Sequence, residues 1–155
     1  MRRLLFSLLS IVALGFAPAP VFRERPDDPE AVLKRLQGTW MVSRYEQGGQ
    51  TIFAKGEAFE IKIEKDRWTF FLSRDGLPVT TSSSFALKLD TRGSPAEIDI
   101  MSDANKMYML NGVYHLKGDT LTIVYRVNAN GNKDRARHLT KLAPGDCLMQ
   151  LERRP

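Results

Sequence analysis

Leu36-Gln37-Gly38-Thr39-Trp40 is the stretch on which the fold turns. Just upstream, Glu30 to Leu36 places Val32, Leu33 and Leu36 on one face at helical spacing. Asp28-Pro29-Glu30 supplies an N-cap, a first-turn proline and an acidic first turn. Gly38 ends that helix, and from Thr39 onward the hydrophobic period changes from 3.6 to two. Trp40 therefore sits on the first strand, where a large aromatic surface must find cover.

Downstream, alternation is almost unbroken. Thr39 to Gln47 reads as a strand closed by Gly48-Gly49, and Phe59, Ile61 and Ile63 share one face of the next. Lys65-Asp66 turns the chain into a strand with Trp68, Phe70 and Leu72 together, and Asp75-Gly76 is a further turn signal. Phe85, Leu87 and Leu89 point inward from Ser84 to Asp90. After the turn Arg92-Gly93-Ser94-Pro95, so do Ala96, Ile98 and Ile100. Lys106 to Leu116 is a long strand with a bulge or bend expected at Asn111-Gly112. Lys117-Gly118-Asp119 is a hairpin turn into Leu121, Ile123 and Tyr125. Asn128 to Lys133 reads as a mobile polar loop, Arg137 to Leu142 as a short strand, and Pro144-Gly145-Asp146 as the turn into a last strand, Cys147 to Arg153. About eight short strands, regular turns and no βαβ pattern predict an all-β fold: a small antiparallel up-and-down barrel with a short N-terminal helix.

These residues resemble a known family. Leu36 to Trp40, Pro95 to Ile100, Gly112-Val113-Tyr114 with Leu116, Gly118 to Ile123, and Leu151-Glu152-Arg153 look like a planctomycete-type conserved domain of uncharacterised role, a lipocalin-like β-barrel family. The similarity runs over about residues 35–154. It implies a small antiparallel barrel and no particular activity. The segment Val124 to Gly131 departs from the proline- and glycine-rich hydrophilic stretch of that family. In lipocalin-like barrels a first-strand tryptophan plugs the closed end under a last-strand arginine. The resemblance thus assigns barrel closure to Gly38, Trp40 and Arg153. Strand parity favours Arg153 over Arg154, because Arg153 is in step with Met149 and Leu151.

Residues 1–20 read as a secretory signal, with Arg2 and Arg3 before an apolar run from Leu4 to Phe16 and small residues at Ala17-Pro18-Ala19. Pro20 disfavours cleavage at that point, so the site is displaced or the segment stays as an uncleaved anchor. Residues 21–29 are a proline-rich linker and residues 30–155 the barrel domain. The expected location is periplasmic or extracellular, with no stable membrane span in the mature protein. Removing Arg2 and Arg3 lowers the net charge from +5 to +3. That balance, with acidic and basic residues interspersed, leaves no footprint for nucleic acid or an anionic membrane. Cys147 is the sole cysteine, so no internal disulfide forms, and it reads as a small apolar residue of the last strand. A monomer is expected.

No catalytic constellation emerges. His115 and His138 are the only histidines, short of a metal set, and no nucleophile elbow or phosphate loop is present. Glu97 and Asp99 share a face opposite Ala96, Ile98 and Ile100 and read as solvated, as does Lys133 to His138. The expected function is non-enzymatic, with no cofactor and no metal. The inward aromatic and aliphatic set leaves two readings open, a filled core or a cup for one small apolar ligand. For the cup, Val42, Trp68, Phe70, Tyr108 and Tyr114 are the expected lining. The alternative is an envelope protein-interaction scaffold using residues 47–57 and 128–133.

Overall fold

A computed structural model describes residues 27–52, 57–74, 77–78, 83–103, 108–127 and 134–155. The expected signal segment, the expected turn at Asp75-Gly76 and the expected loop Asn128 to Lys133 lie outside these residues. Helix α1 spans Pro29–Leu36, beginning one residue inside the expected linker. Asp28 caps it, its carboxylate accepting from the Glu30 amide at 3.2 Å.

Ten strands follow: β1 Gly38–Gln47, β2 Gln50–Thr51, β3 Glu57–Glu64, β4 Arg67–Arg74, β5 Leu77–Pro78, β6 Ser83–Asp90, β7 Ala96–Met101, β8 Tyr108–Lys117, β9 Thr120–Val127 and β10 Cys147–Arg153. Leaving aside the two-residue β2 and β5, each strand pairs antiparallel with the next, and β10 pairs back onto β1. The result is a closed eight-stranded up-and-down barrel, an all-β lipocalin-like fold with a short N-terminal helix. Closure removes free sheet edges, and eight strands leave an interior about as wide as side chains can fill.

Two register shifts depart from strict alternation. In β1, Val42 pairs with Leu151 but Arg44 pairs with Gln150, so Ser43 is an extra residue. Without that bulge Arg44 would follow Trp40 and Val42 inward. With it, Arg44 swings out to an ion pair with Glu46, and Tyr45 turns into the barrel. The second shift lies where Ile100 pairs with Leu110 and Met101 with Tyr108, not at Asn111-Gly112. β8 runs unbroken through Gly112, which serves close approach instead. A Cβ there would meet the Val124 carbonyl and lie 2.8 Å from the Tyr125 Cβ.

Residues 134–146 contain no strand, contrary to the expectation for Arg137 to Leu142. They cross the outer face of the barrel, where Ala136, Leu139 and Leu142 cover Val113 and Val124. Arg135 also engages the carboxylates expected to be solvated: Asp99 at 2.7 Å and Glu97 at 3.4 Å. Its Nη1 donates to the Gly112 carbonyl at 2.9 Å. Buried Asp146 holds the same crossing, accepting from Arg126 Nε at 2.7 Å and from the Ala143 amide at 2.8 Å. Glu97 and Asp99 do face outward, but a basic side chain from this crossing covers them. Both histidines are exposed.

Candidate functional site

The two ends of the barrel differ. At the α1 end, β3–β4, β6–β7 and β8–β9 are joined by the short turns 65–66, 91–95 and 118–119. There Trp40 is fully buried, its indole Nε1 donating to the Leu36 carbonyl at 2.8 Å. The Arg153 guanidinium lies 4.3 Å from the Trp40 ring centroid. The same guanidinium donates to the carbonyls of Gln37 and Arg35 at 2.5 Å each, and to the Asp119 carboxylate at 3.0 Å. A cation thus satisfies carbonyls left over at the C-terminus of α1 and favours the negative end of its dipole. Gly38 has φ +116, and a Cβ on it would lie 3.2 Å from Arg153 Nη1, so glycine suits both the backbone and the guanidinium. Gln37 clasps the β3–β4 turn, accepting from the Lys65 amide at 2.5 Å and donating to the Lys65 carbonyl at 3.0 Å.

The opposite end holds a cavity of about 430 Å³. That is within the range of small-molecule pockets and about three times a cavity that takes up benzene. Its walls come from β1 (Val42, Tyr45), β3 (Phe59, Ile61), β4 (Phe70, Leu72) and β6 (Ser83, Phe85), with Tyr125 of β9 and Met149 of β10. Phe70 and Phe85 meet edge-on at 5.9 Å, and Phe70 rests against Trp68 at 5.7 Å. None of the described lining residues is charged. The polar atoms are the hydroxyls of Ser83, Tyr45 and Tyr125.

Those tyrosines are linked. Tyr125 Oη donates to Tyr45 Oη at 3.1 Å, and Tyr45 is also hydrogen-bonded with the buried Cys147 thiol. Burial raises Tyr45, Tyr125 and Cys147 above their ordinary pKa values. All three stay neutral near pH 7. They are hydrogen-bonding groups rather than bases or nucleophiles.

Of the residues expected to line a cup, Val42 and Phe70 do so. Trp68 is fully buried one layer behind Phe70, and its indole N–H has no partner among the described residues. Tyr114 is buried toward the α1 end, paired with Ala96 and Ile123. Tyr108 begins β8, and its side chain lies outside the described part of the structure. The interior is thus filled at one end and hollow at the other. Tyr45 escaped strand parity because the Ser43 bulge reverses it. Tyr125 and Met149 were in step with inward neighbours and could have been found from that. No group of three or more His, Cys, Asp or Glu residues able to hold a metal occurs among the described residues.

No protein-family model matches this chain, and no curated protein matches it. Among solved structures, a secretory abundant heat soluble (SAHS) protein from Ramazzottius varieornatus, crystallised from a dimer sample, is similar at 12% identity and a TM-score of 0.37. The alignment covers 77% of this chain and 95% of that one.

Proposed function

We propose that this protein is an exported, non-catalytic carrier that takes a small apolar molecule into the hollow end of its barrel. The observation behind this reading is the cavity of about 430 Å³, walled by aliphatic and aromatic side chains at the end away from Trp40. Moving a ligand out of water into such a cavity stabilises the complex by about 25 cal/mol for each Å² of apolar surface covered. The neutral hydroxyls on the wall can orient a ligand but offer no base, nucleophile or metal, which supports a role in binding rather than catalysis.

Native mass spectrometry of the protein purified from its own cell envelope tests the reading. An extra discrete mass that is lost on denaturation is expected. A bare polypeptide mass, with no shift in melting temperature across a panel of apolar compounds, contradicts it.

A second reading, an envelope protein-interaction scaffold, draws support from the exposed Ile52, Met109 and Val127. All three lie at strand ends on the hollow side. It predicts the bare polypeptide mass and a stoichiometric envelope protein partner.

A further inference from the structure

Half of the described cavity lining is aromatic. Tyr45, Phe59, Phe70, Phe85 and Tyr125 are five of its ten residues, whereas the filled interior draws mainly on isoleucine and leucine. The rings occur in pairs. Phe70 and Phe85 meet edge-on at 5.9 Å, and Tyr45 and Phe59 lie tilted at 6.5 Å, both within the range over which ring quadrupoles attract. Strand order sets these groups on opposing walls. Around the closed sheet β4 and β9 are four strands apart, and so are β6 and β10. Phe70 of β4 and Phe85 of β6 therefore stand across the barrel from the strands that carry Tyr125 and Met149.

We propose that the cavity selects a planar aromatic molecule of two or three fused rings over an aliphatic one of the same size. This rests on the cavity being a binding site and adds the class of ligand it takes. Any apolar guest gains from leaving water. A flat aromatic guest also gains edge-to-face and offset contacts with the wall rings, each worth about two- to tenfold in affinity beyond the area covered. The polarisable Met149 sulfur adds a contact of the same kind, because thioethers attract ring edges. A saturated guest of equal shape has neither the negative face nor the positive edge that these groups read. The size follows from volume. A cavity of about 150 Å³ takes up one benzene ring, and the one here is about 430 Å³.

The test compares 2-naphthylmethanol with its fully hydrogenated counterpart, decahydro-2-naphthylmethanol, by isothermal titration of the purified protein at pH 7. The two share a skeleton and a hydroxyl, and the saturated one is the more hydrophobic. Burial alone therefore favours the saturated probe, and ring contacts favour the aromatic one. The aromatic probe should bind about fivefold more tightly. Phe70→Leu and Phe85→Leu each keep an apolar wall and remove one ring. Each should weaken the aromatic probe about threefold or more and leave the saturated probe within twofold, which also reports that the cavity is still formed. Leu72→Val, on the aliphatic part of the wall, should change both probes by the same factor. A saturated probe that binds as tightly as the aromatic one, or leucine variants that weaken both probes equally, overturns the ligand class while leaving a binding pocket. Failure of both probes to bind overturns the pocket reading as well.

Discussion

At the α1 end of the barrel, Trp40, Ile63, Trp68 and Leu151 have no exposed surface, and the arginine, glutamine and tryptophan side chains around them tie down the helix end and a turn. At the other end the same strands carry Phe59, Phe70 and Phe85 inward, yet these side chains stay part-exposed around a cavity. Alternation alone does not separate the two ends, because both read apolar-in and polar-out. What differs is the presence of a plug. One end receives a helix, an indole and a guanidinium. The other receives the longer connections 48–56, 75–82, 102–107 and 128–146. Stability concentrated at one end of a small barrel lets the other forgo dense packing, the division of labour expected where a scaffold carries a binding site.

The largest test of that contrast is Trp40→Ala, which deletes the plug and should destabilise the protein by about 3–5 kcal/mol in urea unfolding. Gly112→Ala comes next, at about 2–3 kcal/mol, because the added methyl meets backbone and cannot be relieved by a rotamer change. Arg153→Ala should cost about 2 kcal/mol through the lost ring contact and stranded helix carbonyls. Arg154→Ala, which removes an exposed pair with Glu60, should stay within about 0.5 kcal/mol. Equal effects for the two arginines would break the contrast. Phe70→Ala should cost only about 1.5 kcal/mol, since a wall of an existing cavity loses less packing than a filled core does. A cost equal to that of Trp40→Ala would show the hollow end to be packed.

The smallest effect is one of pH. Tyr125, Tyr45 and Cys147 have folded-state pKa values raised by burial, so the folded protein holds their protons longer than the unfolded chain does. Their stabilising contribution is complete below the ordinary thiol and phenol values. It declines as pH rises through about 8.5 and 10 toward the folded values. Melting temperature should therefore fall on the alkaline side, and less steeply in Tyr125→Phe. An unchanged slope would remove Tyr125 from the account.

Much of this architecture was legible in the sequence. The cap at Asp28, the switch of period at Gly38, and the turns at Lys65-Asp66 and Gly118-Asp119 each have a local physical cause, and the strands they bound lie where alternation put them. Parity was enough to place Arg153 on the Trp40 side of β10. The site was less legible. Trp68 and Tyr114 have the size and parity of lining residues, but which inward aromatic is filled over depends on what plugs each end, a tertiary property. Tyr45 was hidden by a one-residue bulge that no local pattern marks. The cover over Glu97 and Asp99 comes from Arg135, distant in sequence. A hint of it was present in Ile123-Val124-Tyr125, a run apolar on both faces of a strand and so in need of cover on both sides.

The most direct measurement of the contrast is a methyl-resolved NMR titration of the protein with 2-naphthylmethanol. Methyl signals of Val42, Leu72 and Met149 should move saturably with a single affinity, while those of Ile63, Ile98, Leu121 and Leu151 at the plugged end hold still. Signals that shift equally at both ends, or at neither, would contradict a barrel filled at one end and open to a ligand at the other.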